Sequence, residues 1–141
     1  MYKRILIPLD NSLADKAILE HLRPLARFTQ ADLILVHVAD GYVARYQKQL
    51  NLEDSQEIKE DFEYLEKQKL QLSQEGFKVT TYLVGGEPSD QILGIAQKEQ
   101  CDLIAMSTHG HRFFKDLILG SVANDIRHRT NIPILMIRAS S

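Results

Sequence analysis

Five short apolar runs, each separated from the next by a stretch of helical spacing, restrict this chain more than any other feature. They occupy residues 5–9, 33–38, 79–84, 103–106 and 134–137. Most are continuous rather than alternating, the pattern of strands covered on both faces. The third, Val-Thr-Thr-Tyr-Leu-Val, is more polar and suits a sheet edge. Between the first two runs, Ala17, Ile18, Leu22, Leu25 and Ala26 recur at helical spacing. Asn11 or Ser12 is placed to cap that helix, and Pro24 is expected to kink or break it. Residues 53–74 read as a long charged helix with Ile58, Phe62, Leu65 and Leu72 as its apolar stripe, ended by Gly76. Pro88 suits the first turn of the next helix, with Ile92, Leu93 and Ala96 turned inward. The order is β-α-β-α-β-α-β-α-β. That alternation predicts an α/β fold, a doubly wound parallel sheet with helices on both faces. Residues 1–141 read as one domain, and residues 41–50, with Tyr42, Tyr46 and Leu50, as a short helix or flap.

Composition excludes several classes. With 17 basic and 19 acidic residues the formal charge is −2, so bulk electrostatics points to neither nucleic acid nor a membrane surface. No apolar run approaches the roughly 20 residues that span a bilayer. No secretory leader is read at the start, where Lys3 and Arg4 precede only a short apolar run before Pro8. The one cysteine, Cys101, precedes an apolar run and reads as packing. A cytoplasmic protein is expected.

In open α/β sheets, ligands bind beyond the carboxyl ends of the strands, where the strand order reverses. Three strand ends would frame that crevice: Pro8-Leu9-Asp10, His37-Val38 and Met106-Ser107-Thr108-His109-Gly110. The stretch from Ser107 to Ser121 runs from a strand through a glycine-bearing loop into a helix read at Val122 to Ile126. A helix N-terminus there, with its free N–H groups and dipole, favours a phosphate-bearing ligand. Asp10 is placed to accept hydrogen bonds from a ribose or base amine, or equally to serve as a turn carboxylate. Gly110 and Gly120 permit close backbone approach. Ser121 offers its N–H and hydroxyl to a phosphate, or an N-cap. Arg112 and Lys115 either balance phosphate charge or are solvated surface. His109 and His111 lack a third partner at metal-binding spacing, so no metal site is assigned.

These residues resemble the universal stress protein family. Its fingerprint is Gly-x-x-Gly, nine residues, then Gly-Ser or Gly-Thr; here Ser107-Thr108-His109-Gly110 precedes nine residues and Gly120-Ser121. Further matches run along the chain, from Tyr2-Lys3-Arg4-Ile5-Leu6-Ile7-Pro8-Leu9-Asp10 and Leu35-Val36-His37-Val38 to Gly86-Glu87-Pro88 and Pro133-Ile134-Leu135-Met136-Ile137. The resemblance implies a five-stranded sheet in order 3-2-1-4-5 and a homodimer formed through the last strand, Ile134 to Ile137. It implies ATP or AMP as ligand, with Mg²⁺ if the phosphates bring it. Asp10 and Val38 would then meet the adenosine part, Val38 mainly through its backbone, and Gly110, Gly120, Ser121 and Val122 the phosphates; Pro8, Leu9, Met106, Ser107 and His109 complete the implied nucleotide-binding set. Ser107 departs from the family's first glycine, placing a side chain where the ligand approaches.

Three functions fit these residues: a nucleotide-binding stress or regulatory protein, a slow ATPase, and a dimeric interaction module with no nucleotide. A P-loop lysine motif and a poised general base are absent from the sequence, which disfavours catalysis. A phospho-accepting receiver is excluded, because the third run ends in Val84-Gly85-Gly86 and the fifth in Ile137-Arg138-Ala139, without the acceptor aspartate or the lysine.

Overall fold

A computed structural model describes residues 1–39, 52–108 and 114–138, with side chains over 1–39, 56–108 and 121–138. The expected segment at 41–50 and the loop residues His109, Gly110, His111 and Arg112 lie outside the described residues, as does the side chain of Lys115.

The expected alternation is present. Strand β1 (Arg4–Pro8) leads to α1 (Ala14–Thr29), β2 (Asp32–Ala39), α2 (Leu52–Gln74), β3 (Val79–Gly85), α3 (Pro88–Lys98), β4 (Leu103–Thr108), α4 (Phe114–Arg129) and β5 (Ile134–Arg138). The five strands form one parallel sheet in the order β3-β2-β1-β4-β5. The polar strand β3 is an edge, as its threonines suggested.

Alternate residues of each central strand supply two cores. Ile5, Ile7, Leu33, Leu35, Leu103 and Ala105 face α1 and α2, while Leu6, Ile34, Val36, Ile104 and Met106 face α3 and α4. Both faces of β1, β2 and β4 are buried, which is why their sequences run apolar without alternating.

Helix ends follow local chemistry. Gly76 adopts φ +98° and closes α2, with its N–H on the Ser73 carbonyl and the Phe77 N–H on the Leu72 carbonyl. The Glu87 carboxylate accepts from the Asp90 N–H and caps α3, whose first residue is Pro88.

Two expectations are corrected. Helix α1 continues through Pro24. The carbonyl that Pro24 leaves without an amide partner belongs to Glu20, on the exposed side of the helix and open to solvent. Helix α4 covers Phe114–Arg129, so Gly120 lies inside it rather than before its start. Lys115-Asp116-Leu117-Ile118-Leu119 contains good helix formers and extends the helix backwards.

Candidate functional site

Strand β1 pairs with β2 over five residues, from Arg4↔Asp32 to Pro8↔Val36, but with β4 only at Ile5↔Leu103 and Leu6↔Ile104. Beyond Leu6 and Ile104 the two strands part. This is the switch point of the sheet, because the chain passes from β1 to β2 on one side and β4 to β5 on the other. Pro8 contributes to the parting, since it has no N–H to donate to a ladder.

The ends of β1 and β4 therefore lie at the switch point where the crevice is expected. Pro8, Leu9, Met106 and Ser107 are buried there, and Val38 is half-buried at the end of β2. Asp10 stands just past β1. Its Oδ1 accepts from the Ser12 hydroxyl at 2.5 Å. Its Oδ2 is buried without a partner, and so is Oγ of Ser107, a residue only 1% exposed. Among the described residues these are the two buried side-chain polar atoms left unpaired. A buried orphan of this kind costs about 1–3 kcal/mol.

The turn from β1 into α1 is fixed by Asp15. Its carboxylate accepts from the Asp10 N–H at 3.2 Å and the Asn11 N–H at 2.9 Å, and Asn11 takes φ +61°, a left-handed conformation that asparagine tolerates. The two amides are thus filled by the protein's own carboxylate and are closed to an external anion. Tyr64 of α2 donates its hydroxyl to Asp15 Oδ2 at 2.5 Å. Burial pushes the Asp15 carboxyl up to about 7; the Tyr64 bond opposes this and the nearby Asp10 charge adds to it. Burial, and then the Asp15 charge, also push the Tyr64 hydroxyl upward.

Beside this turn, His37 of β2 is buried. Its Nδ1 lies 2.9 Å from the Leu9 carbonyl oxygen and its Nε2 lies 3.1 Å from Asp61 Oδ2 of α2. Asp15, Asp61 and Tyr64 escaped the sequence reading, as did the pairing of His37. Asp61 lies four residues before Leu65 and occupies the buried stripe of α2, whereas Phe62, expected there, is 54% exposed. Spacing alone marks Asp61, because an apolar-only search passes over a carboxylate.

On the phosphate side the arrangement differs from expectation. In a helix opening at Phe114 the free N–H groups belong to its first four residues, so Gly120 and Ser121 fall beyond them. Ser121 is exposed and Val122 is buried in the core under α4.

A cleft of about 630 Å³ opens at the opposite end of the sheet beside Cys101, Arg129 and Pro133. Arg129 is already bound to Asp90 and Asp125, and no side chain lining the cleft has a buried unpaired atom. Burial holds the Cys101 thiol up at about 11, as fits a packing residue. The described residues contain no cluster of three or more His, Cys, Asp or Glu arranged for a metal, and no helix long and apolar enough to cross a membrane.

The family model described as "Universal stress protein family" matches residues 1–138. Universal stress protein MJ0577 of Methanocaldococcus jannaschii is 29% identical, with 98% of this chain and 96% of the relative covered. A solved structure of MJ0577 is 31% identical over 100% of this chain and 99% of its own, with a TM-score of 0.85. Two more distant structures share the fold. One, from Archaeoglobus fulgidus in complex with dAMP, is 22% identical, covers 96% of this chain and 98% of its own, and has a TM-score of 0.67. The other, a universal stress protein in complex with cAMP, is 17% identical, covers 99% and 98%, and has a TM-score of 0.69. With a family model spanning nearly the whole chain and the 3-2-1-4-5 parallel sheet in place, this chain belongs to the universal stress protein family.

Proposed function

We propose that this chain binds an adenine nucleotide, ATP or AMP, in the crevice between the ends of β1 and β4. The observation that carries this reading is the pair of buried, unpaired polar atoms there, Asp10 Oδ2 and Ser107 Oγ. A carboxylate oxygen accepts and a hydroxyl both donates and accepts, so together they suit a ribose or a base amine. Pro8, Leu9, Val38 and Met106 supply the surrounding wall. Family members solved with dAMP and with cAMP support the ligand class.

The phosphates are assigned to the β4–α4 side, to His109, Gly110, Gly120, Ser121 and Val122, since Asp15 already fills the amides of the β1–α1 turn. For Gly120 and Ser121 to offer their N–H groups, α4 must open its first turns, and glycine at position 120 is a weak point for that opening. Mg²⁺ enters only as a companion of the phosphates. The protein acts as a single domain in a cytoplasmic homodimer joined through β5, whose outer edge has no partner strand among the described residues. Its role is regulatory rather than catalytic.

The test is to purify the chain without added nucleotide, denature it, identify any released small molecule, and measure thermal shifts with ATP, AMP and cAMP. Stabilisation by an adenine nucleotide supports the reading. No shift and no released nucleotide favours the interaction module, and phosphate release abolished by Asp10→Ala favours the ATPase.

A further inference from the structure

We propose that α2 braces the ligand-facing turn through two hydrogen-bonded arms, one of which exists only while a proton is shared between His37 and Asp61. This rests on the adenine-nucleotide reading of the crevice for its ligand, though not for its geometry.

Asp61 and Tyr64 are three residues apart on α2 and so share one face, a turn apart. The first arm runs from the Tyr64 hydroxyl to Asp15 and on to the Asp10 and Asn11 amides. The second runs from Asp61 through His37 to the Leu9 carbonyl. They grip the backbone on either side of Asp10. The sheet gives that turn little else: the last ladder-like bond is the Leu9 N–H on the Val36 carbonyl, at 2.8 Å.

The second arm counts protons. A carbonyl only accepts, so His37 Nδ1 must carry hydrogen toward Leu9. Its Nε2, 3.1 Å from Asp61 Oδ2, then faces a second group that only accepts when ionised. A hydrogen bond forms there if the ring is an imidazolium, or if Asp61 is a carboxylic acid. Either way the pair holds one proton more than a neutral ring beside a carboxylate. Remove it and two lone pairs confront each other in a corner where His37 is 8% and Asp61 9% exposed. Among the described residues, the ionisable groups that the two arms link are Asp61 and Tyr64 of α2, Asp15 of α1, Asp10 of the turn and His37 itself. On this face β3 presents Val79, Thr81 and Leu83, none of which titrates. Loss of that proton breaks one of the two ring contacts and slackens the grip on Leu9 and hence on Asp10.

Asp61→Asn separates this from a purely structural role. A carboxamide N–H donates to the neutral Nε2, so the arm survives without the extra proton. The experiment follows His37 ring nitrogens and the Asp10 and Asn11 amides by ¹⁵N NMR in the ligand-free full chain, between about pH 5 and 9. In the wild type the two amides move with the same midpoint as the His37 ring. In Asp61→Asn that component vanishes, leaving only what Asp15 contributes. Amides that ignore the His37 titration, a ring that does not titrate in this range, or an Asp61→Asn protein that behaves as wild type would each overturn the brace. The wild-type titration decides alone if Asp61→Asn does not fold. For ligand coupling, the ratio of wild-type to Asp61→Asn Kd for ATP cancels the titration of ATP's own phosphates. It rises about tenfold across this range if the arm positions Asp10; a flat ratio sinks the coupling. If neither protein binds ATP, the nucleotide reading fails while the NMR titration still judges the brace.

Discussion

Tyr64 of α2 donates its hydroxyl to Asp15 of α1 at 2.5 Å, and that carboxylate in turn holds the Asp10 and Asn11 amides. The contact joins two elements 49 residues apart and fixes the residue on which ligand binding is proposed to depend.

Asp15 should give the fold a distinctive pH dependence. Its carboxyl is raised from 3.8 to about 7 in the folded protein, so the folded state holds its proton more tightly than the unfolded chain. That stabilising contribution is complete below about pH 4 and is lost as pH rises through about 7. Chemical denaturation of wild type against Asp15→Asn should show the wild type losing ground across that window. Parallel stability profiles would contradict the assignment. Tyr64→Phe removes a bond that lowers the Asp15 carboxyl, so it should cost about 1–3 kcal/mol at neutral pH and less in acid.

Ser107 should behave as a residue kept at the expense of stability. Its hydroxyl is buried and unpaired, and Ser107→Ala removes that penalty. The ligand-free variant should be more stable by about 1 kcal/mol while binding ATP about five- to tenfold more weakly. Thermal unfolding and calorimetric titration measure the two effects. A variant that is less stable, or binds ATP as well as wild type, would show that the hydroxyl serves the fold.

Gly120 tests the opening of α4. In a helix interior alanine is favoured over glycine by about 1 kcal/mol, so Gly120→Ala should stabilise α4 as it stands. If nucleotide phosphates need its first turns opened, ATP affinity should fall about fivefold and adenosine affinity should not change. Equal losses for both ligands would place Gly120 outside the phosphate contacts. Gly120→Val should block phosphate binding outright.

The β5 edge carries the proposed dimer. Met136 is 47% exposed in the single chain, on a strand that among the described residues pairs only with β4. Met136→Lys puts like charges together across a two-fold strand pairing and should shift the protein toward monomer in light-scattering chromatography. An unchanged dimer would move the interface elsewhere, and a wild-type monomer would remove it.

The fold was legible because buried parallel strands write themselves as continuous apolar runs. Ile5, Leu33 and Leu103, side by side in the sheet, each sit in such a run. The crevice was legible in outline, since strand alternation fixes where the order reverses, and Asp10 and Ser107 fall there. What stayed hidden depends on polar groups buried in pairs. Asp61 reads as one more charge on an acidic helix until His37 is set beside it, and Asp15 reads as a first-turn carboxylate until Tyr64 reaches it from α2. Pro24 and the start of α4 misled for a different reason. Local breaker rules describe an isolated helix, whereas Glu20's unpartnered carbonyl faces water and the residues before Gly120 are strong helix formers.

Asp10 and Ser107 are proposed to face an adenine nucleotide. The most direct measurement is calorimetric titration of ATP into the full chain and into Asp10→Ala. Wild type should bind one nucleotide per chain saturably, and Asp10→Ala should weaken that binding at least about tenfold. Absence of binding by the wild type, or equal affinity in the two proteins, would contradict it.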